Sequence, residues 1–89
     1  MKVVYSQRAL AQLIGTCEYL VLHNEKAAGA VSASIATTIA RLGHLPHLGK
    51  LADEADVRVL IEPEYLYRVF YRIEHERVVV LSILHPSRA

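Results

Sequence analysis

Five of the seven arginines in this 89-residue chain, Arg58, Arg68, Arg72, Arg77 and Arg88, lie after residue 57, and His85 stands among them. Guanidinium groups grip phosphate or carboxylate oxygens through paired N–H donors. A histidine exchanges a proton near neutral pH. Metal-free cleavage of RNA needs those parts: a base for the 2′-hydroxyl, an acid for the leaving oxygen, and cations for the phosphate charge of the transition state. The same side chains also suit a face that only binds, so the chemistry depends on where the fold puts them.

Other reactive types lead nowhere. His44 and His47 flank Pro46 with no third ligand in register, and the nearby Asp53, Glu54 and Asp56 form no recognisable cation loop, so no metal is expected. Cys17 falls on an apolar helical stripe and reads as a small buried hydrophobe. Ser82 and His85 lie three apart on one strand and face opposite sides, so they are no catalytic pair.

Composition narrows the classes. Ten Lys+Arg oppose nine Asp+Glu, a net charge of +1, without the basic excess that nucleic-acid binders use to displace counterions. An apolar fraction of 53% excludes a disordered chain. No run of about 18 uncharged apolar residues suggests a membrane span. The start, MKVVYSQR, has no signal-peptide pattern, and one cysteine permits no internal disulfide. A single cytoplasmic domain over 1–89 is the expectation, with no cofactor.

Three blocks must position the arginines. Residues 2–5 are β-prone and end at Ser6, a helix N-cap. Leu10, Leu13, Ile14, Cys17 and Leu20 then recur at helical spacing, which predicts a helix over 7–23. Gly15 inside it implies close packing against a neighbour, since it costs up to about 1 kcal/mol against alanine. Asn24 caps the junction to a second helix over 26–42, ended by Gly43. A loop over 43–56 leads to three strands, 57–62, 65–74 and 77–85, joined by short turns. The order βααβββ predicts an α+β domain, a helical hairpin packed on one face of a small antiparallel sheet.

Alternation along the strands then sorts the side chains. A three-residue turn after Glu62 sets Arg58 opposite Phe70, and a two-residue turn at His75 and Glu76 sets Arg68 opposite Ile83. On those registers Arg58, Arg68, Arg72 and His85 share the face away from the helices, with Phe70 and Leu81. Val57, Val59, Ile61, Val69, Tyr71, Val80 and Leu84 line the core. The plainer alternative is an ordinary solvated sheet face, with Glu62 and Glu74 as cross-strand partners of the arginines. A slip of one residue in either turn would split the arginines between faces.

The ordered segments YSQRALAQL, LPHLGK, VRVL, YRVFYRI and VVVLSILHPSR resemble the ParE/RelE toxins of bacterial type II toxin–antitoxin, or plasmid stabilisation, systems. The resemblance covers essentially the whole chain. It implies a small cytosolic toxin that inhibits growth and is held inactive by the tail of a cognate antitoxin. RelE-like members cut messenger RNA on the ribosome, whereas ParE-like members block DNA gyrase and are not nucleases. Arg68 in YRVFY matches an arginine of the nuclease branch, Arg88 the one near its C-terminus, and Arg58 stands where that branch carries lysines. The departures are a single arginine in place of paired lysines, a near-neutral charge, and no tyrosine beyond the last strand. They place the chain with the ParE-like branch, where Arg58, Arg68, Arg72, His85 and Arg88 shape a target-binding face. Two alternatives remain open: a ribosome-dependent endoribonuclease using Arg68, His85 and Arg88, and an inactive module that only sequesters antitoxin.

Overall fold

Ser6 closes the first strand and opens the first helix. Its Oγ accepts from the Ala9 amide at 3.0 Å and donates to the Leu81 carbonyl at 3.0 Å, so one hydroxyl caps the helix and ties it to the last strand. The structure, a computed structural model, describes residues 1–87. Its elements are β1 (Lys2–Tyr5), α1 (Gln7–His23), α2 (Glu25–Arg41), β2 (Lys50–Leu51), β3 (Val57–Ile61), β4 (Arg68–Glu74) and β5 (Arg77–Leu84). Asn24 works on both sides of the helical hairpin: its amide donates to the Leu20 carbonyl at 2.6 Å, and its Oδ1 accepts from the Ala27 amide at 3.2 Å.

The strands form one open sheet in the order β1-β5-β4-β3-β2. The expected meander is present, but the sheet is mixed, because β1 pairs with β5 in parallel. No short turn joins those two strands, so nothing local fixes their relative direction. The expected loop also contributes a two-residue edge strand, β2, antiparallel to β3. Both helices cover one face of this sheet. There Ala9, Val31, Ile35, Ile39 and Leu42 meet Tyr67, Val69, Tyr71, Val78, Val80 and Ile83 in the core.

Both registers depart from expectation by one residue. Between β3 and β4, Arg58 stands opposite Tyr71 and Ile61 opposite Arg68. The ladder extends to Glu62, whose amide donates to the Tyr67 carbonyl at 2.8 Å, leaving a four-residue connection in which Leu66 takes a left-handed φ of 66°. The turn at His75 and Glu76 is two residues long as expected, with φ of 50° and 60°. Farther along, a β-bulge at Leu81 shifts the pairing: Tyr71 faces Val80, but Phe70 faces Ser82 and Arg68 faces Leu84. One extra residue reverses the in–out alternation of everything after it.

Glu62 explains the first shift. It is fully buried, not a surface partner for arginine. Its carboxylate accepts from the Ser34 hydroxyl at 2.6 Å, the Glu64 amide at 2.7 Å, the Tyr65 amide at 2.9 Å and the Tyr67 amide at 3.4 Å. Burial alone would raise this carboxyl, but the Ser34 hydroxyl and the three amides outweigh it and hold the group below its ordinary value. A folded-state value below the unfolded one means stability that is present at neutral pH and lost as pH falls through the carboxylate range. Glu62→Gln should cost about 2 kcal/mol at pH 7, or roughly 10 °C in Tm. In paired thermal melts the gap to wild type should narrow below about pH 4; a pH-independent gap would show that the charge contributes nothing.

Candidate target-binding face

The uncovered face of the sheet carries Arg68, Phe70 and Arg72 from β4, flanked by Val59 and Ile61 of β3 and Ser82 and Leu84 of β5. Arg72 reaches Glu74 at 3.7 Å, two residues along its own strand rather than across strands as expected, with both side chains partly open to water. Beside them lies a depression of about 370 Å³ floored by Phe70, Arg72, Leu81 and Ser82, with Arg8 and Glu54 on its rim. Arg8 was not legible as a site residue. It reads as an ordinary first-turn helical side chain, and only the return of α1 past β5 brings it to this face.

Arg58 does not belong to this group. The shifted register puts it on the helix-covered side with its partner Tyr71. There its Nη1 donates to the Gly49 carbonyl at 2.8 Å. The Tyr71 hydroxyl donates to the Pro46 carbonyl at 2.7 Å and accepts from the Gly49 amide at 2.8 Å. Burial pushes the Tyr71 phenol up, against the opposing pull of the Gly49 amide and the Arg58 charge. A side chain at Gly49 would lie 2.7 Å from that hydroxyl and 2.9 Å from the Val59 carbonyl, so only glycine lets the loop approach so closely. Arg58 is therefore a brace for the 43–56 loop. Val59 and Ile61, expected in the core, take the other face by the same shift; Val57 turns with them but is buried as expected.

His85 also changes sides. The bulge at Leu81 turns Ile83 into the core and Leu84 out opposite Arg68, against the expectation for both. His85 then falls in a cleft between α1 and the end of β5. Its ring meets Tyr67 edge-to-face, with centroids 5.3 Å apart. Nδ1 accepts from the Ser87 amide at 3.1 Å and lies 2.7 Å from the Ser87 hydroxyl. A backbone amide can only donate, so the neutral ring carries its proton on Nε2. Arg88 lies outside the described residues. Of the expected site, the fold brings Arg68 and Arg72 together and places Arg58 and His85 on the opposite side of the sheet. Among the described residues no cluster of three His, Cys, Asp or Glu side chains could hold a metal. No helix among them is long and apolar enough to cross a membrane.

The profile of the ParE toxin of the type II toxin–antitoxin system, parDE, matches residues 3–89, and the chain belongs to that family. Its fold is shared with a chain of a chromosomal ParDE system from P. aeruginosa, with a TM-score of 0.84 at 17% identity over 96% of this chain and 95% of that one. A chain of the intact E. coli RelBE toxin–antitoxin complex superposes with a TM-score of 0.70 at 19% identity, over 98% of each chain. No curated protein matches the sequence.

The bracing role of Tyr71 is open to direct measurement. Tyr71→Phe should cost about 1–3 kcal/mol, because the buried Gly49 amide loses its acceptor. Hydrogen exchange at Gly49 should accelerate while the Val78 and Val80 amides stay protected; unchanged exchange at Gly49 would show that the hydroxyl holds nothing.

Proposed function

We propose that this ParE-family toxin is of the ParE-like kind: it arrests growth by binding DNA gyrase through the free sheet face, and a cognate antitoxin neutralises it. Arg68 and Arg72 are the charged contacts of that face, with Phe70 and the Arg8 rim beside them. One observation carries the reading. Groups that a nuclease would need on one surface are divided by the sheet: Arg68 lies on the free face beside Arg72, and His85 lies beside α1 with Nδ1 already engaged by the Ser87 amide. General acid–base work requires hydrogen-bond reach of the reacting atoms, and side chains on opposite faces of a sheet point away from a shared phosphate. The near-neutral total charge supports a protein target, since it offers little counterion release on a nucleic acid. A surface mixing arginines with apolar side chains has the composition of a protein interface.

The test is a supercoiling assay with purified gyrase. Wild type should inhibit. Arg68→Ala and Arg72→Ala should each lower potency about tenfold, a loss of about 1.4 kcal/mol. Arg58→Ala should lower thermal stability instead and leave the potency of the folded fraction near wild type. Full gyrase activity at saturating toxin, together with messages cleaved at the ribosomal A site in arrested cells, would overturn the reading in favour of a ribonuclease.

A further inference from the structure

A glycine within a helix gives up about 1 kcal/mol relative to alanine, and something should repay it. The sequence suggests that Gly15 serves close packing within the molecule, and the structure overturns this. A Cβ placed there would meet nothing within 4 Å. Gly15 opens instead onto the cleft that holds His85, a space of about 650 Å³ between α1 and the end of β5. That is within the range of roughly 300–1,000 Å³ common for binding pockets.

The walls of the cleft describe its occupant. Tyr67 and the edge-on His85 ring form one side, and Tyr19, about half exposed and stacked on His23 at 4.1 Å, stands at the mouth. Leu20 and Ile83 supply an apolar floor. Gln12 spends its Oε1 on the Ile83 amide at 2.7 Å, which leaves its NH2 as a donor. Among the described residues that line the cleft, none is acidic and none is lysine or arginine. Rings at the sides, an apolar floor and no net charge match a flat, uncharged, aromatic group. A nucleotide would bring a phosphate, for which the described lining residues offer no lysine or arginine.

We propose that this cleft receives an uncharged aromatic side chain of the antitoxin, and that Gly15 is glycine so that the ring can lie against the bare backbone of α1. The inference rests on the chain being a toxin with an antitoxin, but not on gyrase as its target. Two features favour the antitoxin as the source. The cleft is on the opposite side of the sheet from Arg68 and Arg72. In addition, α1 exposes Leu10, Ile14 and Val21 by about half and Leu22 by 82%. Apolar surface of that kind is covered in a stored complex, and a chain that inserts an aromatic anchor beside α1 would cover it.

Gly15→Ala and Gly15→Leu separate the cleft from stability, because both substitutions improve helix propensity and a Cβ at position 15 meets nothing within 4 Å. Both variants should melt at or above the wild-type temperature. With N-acetyltryptophanamide as the probe, amide resonances of Thr16, Tyr67 and His85 in the 15N-labelled protein should shift saturably. Gly15→Leu should weaken that binding at least tenfold, and adenosine should bind less well. In cells Gly15→Leu should stay toxic yet escape rescue by the antitoxin co-expressed from its own operon. Equal probe binding by wild type and Gly15→Leu, preferential binding of adenosine, or full rescue of Gly15→Leu would overturn the proposal. A folded Gly15→Leu protein that has lost its toxicity would assign the cleft to the target and overturn it too. If the wild type itself is harmless, the toxin reading fails, and the titration alone decides whether the cleft takes an aromatic ring.

Discussion

The geometry of this protein depends on one buried carboxylate. Glu62 sits at the end of β3 with no exposure to water and collects the Ser34 hydroxyl and three backbone amides from the turn that follows. An unpaired charge in that position would be prohibitive, but a carboxylate surrounded by donors is stable there and tolerates little change in its surroundings. By collecting the amides of Glu64, Tyr65 and Tyr67 it fixes the length of the connection, and so the register of β3 on β4. Ser34 adds a tie from the turn to α2, so the same group couples the sheet to the helical layer.

From that register the two faces acquire different work. Arg58 is turned under the sheet, where it and Tyr71 hold the 43–56 loop by its Gly49 amide and carbonyl. Arg68, Phe70 and Arg72 remain on the free face. The bulge at Leu81 makes a second division farther along β5. It returns Ile83 to the core, sends Leu84 outward and leaves His85 beside α1. The Ser6 hydroxyl holds the Leu81 carbonyl, so the helix cap also pins the bulge. Two local irregularities thus give a chain of this size two separate surfaces, one with arginines and one with aromatic rings.

The separation suits a protein that must act in one state and be silenced in another. A toxin that used one surface for both partners would couple them by direct competition. Two surfaces joined by a rigid sheet allow coupling through shared elements, since α1 borders the cleft while its first turn supplies Arg8 to the free face.

Much of the fold was written in the sequence. Ser6 and Asn24 mark the helix ends through side-chain oxygens that need no tertiary help, and α1 falls on residues 7–23 as its apolar period requires. Runs of Val, Ile, Leu and Tyr separated by turn residues announced the three strands of the meander, and the ordered segments announced the family. The face of each arginine was not legible, because side-chain direction in a strand has a period of two and a single added residue inverts it. Leu66 lengthens one connection and Leu81 bulges one strand, and no local pattern distinguishes either from its neighbours. Local propensity therefore determined which elements form and where they end. Only the assembled sheet, with Glu62 buried against α2 and Ser6 bonded to Leu81, decided which side of it Arg58 and His85 would occupy, because those contacts join residues far apart in the chain.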